Sequence, residues 1–421
     1  MLKVLYNFLT IIFYVPFIFL ILIRKSLKKE HETKFKEKFL KNKIKRPDGF
    51  LFWFHAASIG ELNTIFPLLE FYLKQNPKYK FLITTITLTS FFEFHKKYGN
   101  NQRVFHQFLP YDSNSLVENF LNNWKPNIVS FVDSEIWPNF FLKIKKANIP
   151  FFLLNARITK KTFKRWKIVK NFASELFSSI TVSISSNKET IDYLKYFSTK
   201  NIKYFGNIKF CSSINQVNKE EIDQVNLESK KVWCALSTHP KEEEFCAKVH
   251  QILKKTYKDL VTIIIPRHIH RTEKIRLNLK KMGLKVQIKN QNNKIDESCE
   301  IILVNYYGSV LKYLSKFKQV FIGKSILKKL EKDGGQNPID AAKMGCYIFH
   351  GPYVSNFQEI YEYLDNKNIS EKIENHNRLA ERLDRNLKSN YEQSKIQKDR
   401  FEEFSSKILD NTIKEYEIFI K

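Results

Sequence analysis

The sequence predicts an α/β protein of two doubly wound, parallel-sheet domains, preceded by a membrane-anchoring helix. Short apolar runs alternate with amphipathic stretches in two successive series, the pattern of repeated βαβ units. The length of 421 residues favours two domains over one. An uncharged apolar run precedes both series. Two such domains are expected to leave a ligand cleft at the carboxyl ends of their strands.

The amino-terminal 47 residues are predicted to form the anchor. Residues 4–23 are a 20-residue stretch without charge, enough for one α-helix to cross a bilayer core. Eleven Lys or Arg against three Glu follow in residues 24–46, so the positive-inside rule predicts that the bulk of the chain lies in the cytoplasm, and the same basic segment is expected to contact anionic lipids. Pro16 and the aromatic residues of the stretch also suit a helix lying in the membrane interface, and that alternative stays open.

The two alternating series define the expected domains. Buried strands are predicted at 50–55, 81–86, 128–132 and 151–154, in a domain spanning 48–211. A polar stretch predicts a linker at 212–231. A second series predicts strands at 232–236, 261–265, 301–304, 320–322 and 347–349, in a domain spanning 232–370. Residues 371–421 are predicted to form long charged helices.

Charge and cysteine content limit the class of partner. The formal net charge of +28 favours anionic partners, although a codon bias toward lysine can produce the same excess. No helix-turn-helix, RNP or zinc pattern is present, so no nucleic acid is expected. The five cysteines stand far apart in the sequence, which excludes a CxxC metal knuckle, and no metal site is predicted.

Two carboxylates follow predicted strands of the first domain. Glu61 ends the loop His55-Ala56-Ala57-Ser58-Ile59-Gly60-Glu61 and enters a helix, where it can complement the helix dipole or act as a general base. Glu135 lies in the strand-to-helix segment that starts at Asp133, with Pro138 in the first helical turn. Because both loops leave the same rim of a parallel sheet, the two acids together are more suggestive than either alone.

The second domain offers groups for a phosphorylated ligand. Gly334 and Gly335 precede a predicted helix with Asn337 as N-cap, Pro338 first and Asp340 third, which is typical of a capping box and also of a nucleotide site. Arg267 follows a predicted strand and can bind a phosphate or simply be solvated. Lys209, in the first domain, has the same ambiguity.

The order of these segments resembles the Kdo transferase family, which links 3-deoxy-D-manno-octulosonic acid (Kdo) to the lipid A precursor in Gram-negative bacteria. The resemblance covers nearly the whole chain. The matching segments are 55–61, 133–139, 155–157, 206–210, 237–240, 266–268, 334–340, and 351–352 followed by 356–357. It implies a GT-B fold, an anchor in the bacterial inner membrane, and an inverting, metal-independent transfer from CMP-Kdo.

Carried over residue by residue, the resemblance implies roles for three residues of the first domain. Glu61 becomes the general base, and Glu135 and Lys209 support the transition state. In the second domain the matching CMP-binding positions are Pro266, Arg267, Tyr307, Gly308, Ser309, Asn337, Pro338, Ile339 and Asp340. Lipid A precursor, CMP-Kdo and anionic lipids of the inner membrane are the implied partners.

Four positions depart from the family pattern on the donor side. Gln336 stands in place of His, Asp340 in place of Glu, Ser309 in place of Glu, and Asn305 in place of Asp. These departures keep two alternatives open. One is a GT-B transferase that uses another nucleotide sugar on a membrane glycolipid, and the other is a non-catalytic glycolipid-binding relative.

Overall fold

The computed structural model describes residues 2–40, 44–211, 227, 229–291, 293–296, 298–388 and 392–420. The chain divides into two compact units. Unit 1 comprises residues 1–213 together with 405–421, and unit 2 comprises residues 214–404. The predicted linker at 212–231 lies largely outside the described residues. The domain boundaries inferred from the sequence stay predictions.

Unit 1 contains a parallel sheet. Within its described residues the strands run in the order β3-β2-β1-β4-β5-β6-β7. Their bounds are β1 Leu51–His55, β2 Lys80–Thr85, β3 Val104–Phe108, β4 Ile128–Val132, β5 Phe151–Ala156, β6 Val182–Ser185 and β7 Ile202–Lys203. Strands β1, β4 and β5 are buried along their whole length, as expected of a sheet covered on both faces. The strand order reverses between β1 and β4, where such folds bind ligands.

Helices cover both faces of this sheet and alternate with its strands. They are α3 Ile59–Gln75, α4 Leu88–Tyr98, α5 Asn114–Trp124, α6 Pro138–Lys146, α7 Lys160–Ile168, α8 Lys170–Phe177 and α9 Lys188–Tyr196. Trp53, Phe120 and Phe140 are fully buried at the centre of one helix–sheet layer. The end of the last helix of the chain belongs to the same unit, because the Tyr416 ring stacks on Phe152 at 4.0 Å between centroids.

Unit 2 repeats the architecture, with strands in the order β10-β11-β9-β8-β12-β13-β14 among its described residues. The strands are β8 Lys231–Thr238, β9 Leu260–Pro266, β10 Val286–Lys289, β11 Ile301–Val304, β12 Gln319–Ile322, β13 Tyr347–His350 and β14 Ser370–Lys372. The helices are α10 Glu242–Leu253, α11 Thr272–Lys281, α12 Val310–Lys316, α13 Ile339–Lys343, α14 Gln358–Asn366 and α15 His376–Lys388. The last helix, α16 Glu392–Glu417, begins in unit 2, and its residues from 405 onward belong to unit 1. The order reverses between β8 and β12. Both units are therefore Rossmann-like, and the predicted fold class is confirmed.

The sequence patterns located the central strands, and the strands that they missed lie at or next to the edges of the sheets. All nine predicted strands are present within two residues of their expected bounds. Strands β3, β6, β7, β10 and β14 were not predicted. The segment from 371 was expected to be helical, whereas 370–372 pair with β13 and the helix begins only at His376. Backbone pairing to a neighbouring strand decides such short segments.

The prediction of one continuous helix over residues 4–23 is wrong. The structure has two helices, α1 Leu2–Ile12 and α2 Tyr14–Ser26, bent by 47° at the break. Pro16 lies in the first turn of α2, where its missing N–H cannot continue the hydrogen bonding of α1. In the described part of the chain no single helix is long and apolar enough to cross a membrane, but this bent pair passes the same test of length and composition.

Candidate active site

Glu61 lies at the start of α3, held by the loop that follows β1. Ser58 is the N-cap residue, and its Oγ accepts a hydrogen bond from the Glu61 N–H at 3.3 Å. The Glu61 carboxylate turns back and accepts from the Ala57 N–H at 2.7 Å and from the Ser58 hydroxyl at 3.0 Å. This reciprocal arrangement resembles a capping box and fixes the side chain over the carboxyl end of β1.

The environment of Glu61 favours its protonated form more than water does. Burial raises the pKa of the Glu61 carboxyl, and the negative charges of Glu135 and Asp133 raise it further. The hydrogen bonds from Ala57 and Ser58 act in the opposite direction without cancelling the shift. A carboxylate with a raised pKa is a stronger base, which is the property needed to take a proton from a hydroxyl group.

Glu135 lies at the neighbouring switch-point loop, between β4 and α6, and is stabilised in its charged form. Its Oε2 accepts from the Trp137 indole N–H at 2.9 Å and lies 3.4 Å from Nε2 of the buried His55. Burial alone would raise the pKa of the Glu135 carboxyl, but the contacts with His55 and Trp137 outweigh burial and lower it. Two neighbouring carboxyls thus have pKa values displaced in opposite directions, a pattern found where one acid acts as a base and the other stays ionised.

Lys209 pairs with Asp133, the first residue after β4. The Lys209 ammonium lies 2.7 Å from Asp133 Oδ2, and Asn155 Nδ2 donates to Asp133 Oδ1 at 2.6 Å. Asn155 Oδ1 in turn accepts from the Ile208 N–H at 3.2 Å. This network connects the ends of β4 and β5 to the segment that carries Lys209, so the structure brings all three predicted catalytic residues to the strand ends of unit 1.

Three further polar residues of this site, Asp133, Asn155 and His55, have no role predicted from the sequence. Asp133 and Asn155 have positive φ angles of 56° and 55°, the left-handed conformation that Asn and Asp tolerate at sharp turns. His55 is fully buried at the end of β1. A polar residue at or directly after the end of a buried strand is the signal that identifies this kind of position. All three residues lie inside the segments that match the family pattern.

In unit 2 the predicted nucleotide-binding residues lie at the carboxyl ends of the strands: Pro266 ends β9, and the others lie in the segments after β9, β11 and β12. Arg267 follows β9, is exposed, and its N–H donates to the Thr238 carbonyl at 3.1 Å. Tyr307 is 77% exposed, whereas Ser309 is buried and its hydroxyl donates to the Tyr306 carbonyl at 3.2 Å. Ser309 is the N-cap residue of α12, but its side chain makes no capping hydrogen bond.

The helix predicted to begin at Pro338 begins one residue later. Pro338 occupies the N-cap position of α13, so the expected capping box with Asn337 as N-cap is wrong, and Asp340 is the second helical residue. The Asn337 side chain still accepts from the Ile339 N–H at 3.0 Å. The local structure requires glycine at the two preceding positions. A Cβ on Gly334 would lie 2.2 Å from the Tyr353 carbonyl oxygen, and Gly335 has a φ of +92°, a conformation that side chains disfavour.

Glu242 organises the switch point of unit 2 and was not predicted. Its side chain is fully buried and accepts from the backbone N–H groups of His239, Lys324 and Ser325 at 2.9, 2.6 and 2.9 Å. The Ile326 N–H is a fourth donor at 3.3 Å. One carboxylate therefore joins the loop after β8 to the loop after β12.

Comparison with known proteins decides the family. Residues 33–212, which include Glu61, Glu135 and Lys209, match the family model described as 3-deoxy-D-manno-octulosonic-acid transferase (kdotransferase). The chain is 31% identical over 417 residues to the 3-deoxy-D-manno-octulosonic acid transferase of Rickettsia bellii, covering 96% of this chain and 97% of that protein. The chain belongs to the Kdo transferase family. It is a glycosyltransferase.

Further comparisons agree with the family and with the fold. The Haemophilus influenzae 3-deoxy-D-manno-octulosonic acid transferase is 27% identical over 325 residues, covering 76% of this chain and 74% of that protein. The structure of a glycosyltransferase from Rickettsia africae has a TM-score of 0.54 at 14% identity, and the alignment covers 89% of this chain and 100% of that chain. A UDP-GlcNAc 2-epimerase from Neisseria meningitidis has a TM-score of 0.56 at 11% identity and covers 86% of this chain and 100% of its own. Because a transferase and an epimerase share it, this GT-B architecture by itself does not specify the reaction.

Metal dependence is a separate question for this site. Among the residues that the structure describes, no group of three or more His, Cys, Asp or Glu side chains is arranged to hold a metal ion. Metal-independent transfer stays a prediction from the family resemblance.

Proposed function

We propose that the protein transfers Kdo from CMP-Kdo to a lipid A precursor with inversion at the anomeric carbon, using Glu61 as general base. Membership of the Kdo transferase family supports the donor and the acceptor. The observation that carries the choice of base is the position of Glu61 and Glu135 in the loops after β1 and β4, at the switch point of unit 1, with the Glu135 charge raising the pKa of Glu61. Glu61 is held at the start of α3 by Ala57 and Ser58.

The proposed step replaces one C–O bond at the anomeric carbon with another and moves one proton. The acceptor hydroxyl oxygen attacks the anomeric carbon of Kdo while its proton passes to the Glu61 carboxylate. The bond between that carbon and the CMP phosphate oxygen breaks, and the electron pair leaves with CMP. Glu135 and Lys209 supply fixed charges that stabilise the charge distribution of the transition state. The Lys209 ammonium is oriented by Asp133.

Unit 2 is proposed to bind the CMP moiety. The Arg267 guanidinium is exposed at the carboxyl end of β9, where it can bind the phosphate that leaves. Pro266, the segment 307–309 and the segment 337–340 are the remaining proposed contacts. Asp340 retains the carboxylate expected there, with a side chain one methylene shorter, and can accept from ribose hydroxyls. The enzyme is proposed to act on the cytoplasmic side of the bacterial inner membrane, in contact with anionic lipids.

A transfer assay tests the choice of donor and acceptor. Purified full-length protein is incubated with lipid A precursor and CMP-Kdo, and the lipid product is examined by mass spectrometry. We expect the product mass to increase by whole Kdo units. Parallel reactions with other nucleotide sugars test the first alternative. Folded protein that binds the lipid acceptor but transfers nothing from CMP-Kdo would contradict the proposal.

The pH dependence of the rate tests the link between Glu135 and Glu61. Glu61 must be ionised to accept a proton, so activity is present above its pKa and is lost as the pH falls through that pKa. Because the Glu135 charge raises the pKa of Glu61, Glu135→Gln is expected to move the acidic limb of the kcat/KM profile to lower pH. Glu118→Gln, an exposed carboxylate on α5 paired with Lys143, is the matched control and should leave the limb in place. A limb that stays put or moves upward in Glu135→Gln would contradict the assignment.

A further inference from the structure

The first helix, α1, is attached to the globular part of unit 1 near its amino-terminal end. The Tyr6 hydroxyl donates to Asp112 Oδ2 at 2.7 Å, and the Tyr6 and Phe172 rings lie 6.3 Å apart between centroids. The Lys3 ammonium lies 3.9 Å from the Glu175 carboxylate. Burial raises the pKa of Asp112 to about 7. The first turns of α1 therefore lie directly against the domain.

The second helix, α2, is attached to the same unit along its length. The Phe17 ring stacks on Tyr111 at 4.6 Å between centroids, and Tyr14 lies 5.7 Å from the same ring. Both side chains also contact Phe39, and Ile21 is buried in the cluster that Phe39 belongs to. These contacts cover two turns of α2, so this helix also lies along the domain.

The contacting and exposed residues form two separate faces of the helix pair. The attached face recurs at helical spacing through residues 3, 6, 10, 14, 17 and 21, and it carries the hydroxyls of Tyr6, Thr10 and Tyr14. The outer face is wholly apolar and between 56% and 71% exposed; it comprises Val4, Phe8, Ile11, Val15, Phe19 and Ile23. The outer face of a helix in a water-soluble protein is usually polar, whereas this outer face carries only apolar side chains.

An outer face of this kind requires an apolar environment. Fully burying one such side chain is worth about 1.5–3 kcal/mol, so six half-exposed side chains together represent several kcal/mol that water does not provide. Basic residues border the face. Arg24 and Lys25 lie in the last turn of α2, and Lys28 and Lys29 follow it. Six Lys or Arg lie within residues 160–170, directly before the α8 residue Phe172 that contacts Tyr6. Apolar side chains flanked by basic ones match the surface of an anionic lipid leaflet.

We propose that α1 and α2 enter one leaflet of the membrane and do not cross it, so that the start of α1 and the catalytic units lie on the same side. Helices of 11 and 13 residues are about 16 and 20 Å long, so neither alone crosses a bilayer core of about 30 Å, although the two together are long enough. The contacts of α1 and α2 with unit 1 therefore carry the argument against a crossing. A crossing would carry Lys3 and Tyr6 away from Glu175 and Asp112. The inference deepens the membrane attachment proposed above, and its tests need no catalytic turnover.

Protease access to the two ends of the chain tests the topology. The full-length protein is produced in a Gram-negative host with one epitope tag at the amino terminus and another at the carboxyl terminus. We expect protease to remove neither tag in intact spheroplasts and both tags in inside-out membrane vesicles. Loss of the amino-terminal tag in intact spheroplasts, with the carboxyl-terminal tag retained, would show a crossing helix and overturn the inference, whereas the proposed transfer reaction would be unaffected.

Vesicle binding tests the proposed lipid-contacting face. Purified full-length protein is mixed with phosphatidylethanolamine–phosphatidylglycerol vesicles and the bound fraction is measured by flotation. Phe8→Lys places a charge in the apolar leaflet and is expected to weaken binding roughly tenfold or more. Leu277→Lys changes a comparably exposed apolar residue on α11 and is expected to bind like the wild type. Equal binding by both variants, or a change in oligomeric state with no change in vesicle binding, would overturn the inference in favour of a protein-contacting face.

Discussion

Replacing Glu61 with glutamine is expected to lower the turnover number of Kdo transfer by about 10²–10⁴-fold, the range for loss of a general base. Glutamine has nearly the same shape but cannot take the proton of the acceptor hydroxyl. Its amide oxygen can still accept from the Ala57 N–H, so the start of α3 is expected to be preserved. The measurement is the single-turnover rate with CMP-Kdo and lipid A precursor.

Two controls separate catalysis from folding in the Glu61 experiment. Glu70→Gln removes another carboxylate from the same helix, one that pairs with Lys97 and Tyr98, and should leave the turnover number close to that of the wild type. The thermal unfolding midpoint of Glu61→Gln should also stay close to that of the wild type. A Glu61→Gln enzyme with the wild-type turnover number would exclude Glu61 as the base.

Replacing Glu242 with alanine is expected to have the largest effect on stability. The fully buried carboxylate accepts from four backbone N–H groups, and alanine would leave all four without this acceptor. Each orphaned buried donor costs about 1–3 kcal/mol, and some recover a partner by relaxation or by admitting water. We therefore expect the free energy of unfolding to fall by at least about 3 kcal/mol, measured by urea denaturation.

The Glu242 variant should also weaken donor binding in the protein that remains folded. The Lys324 carbonyl accepts from the Gly335 N–H at 2.6 Å. This hydrogen bond connects the loop held by Glu242 to the glycine pair that precedes the proposed CMP-binding residues 337–340. Glu242→Gln, which retains one acceptor oxygen, should show an intermediate loss of stability. Glu273→Ala, an exposed residue of α11, should leave the unfolding free energy nearly unchanged. Equal stability of Glu242→Ala and wild type would show that the buried network contributes nothing.

The sequence by itself determined the fold class and the position of the loops that carry Glu61 and Glu135, each between a strand and a helix of unit 1. Strands such as β4 and β8 are long apolar runs, and their alternation with amphipathic helices allows only a few architectures. Glu61 and Glu135 were found because loops after parallel strands leave the same rim of the sheet. These features depend on local pattern and on topology, which the order of residues carries directly.

Only the tertiary structure decided which polar groups meet and how the amino-terminal segment is arranged. The pairing of Lys209 with Asp133 and three of the four donors of Glu242 join residues 76 or more positions apart, and nothing in the local pattern encodes such contacts. The hydropathy of residues 4–23 likewise predicted one helix, because a count of apolar residues contains neither the break near Pro16 nor the hydrogen bond from Tyr6 to Asp112. Long-range packing and directional hydrogen bonds depend on where distant side chains arrive, and the folded chain alone determines that.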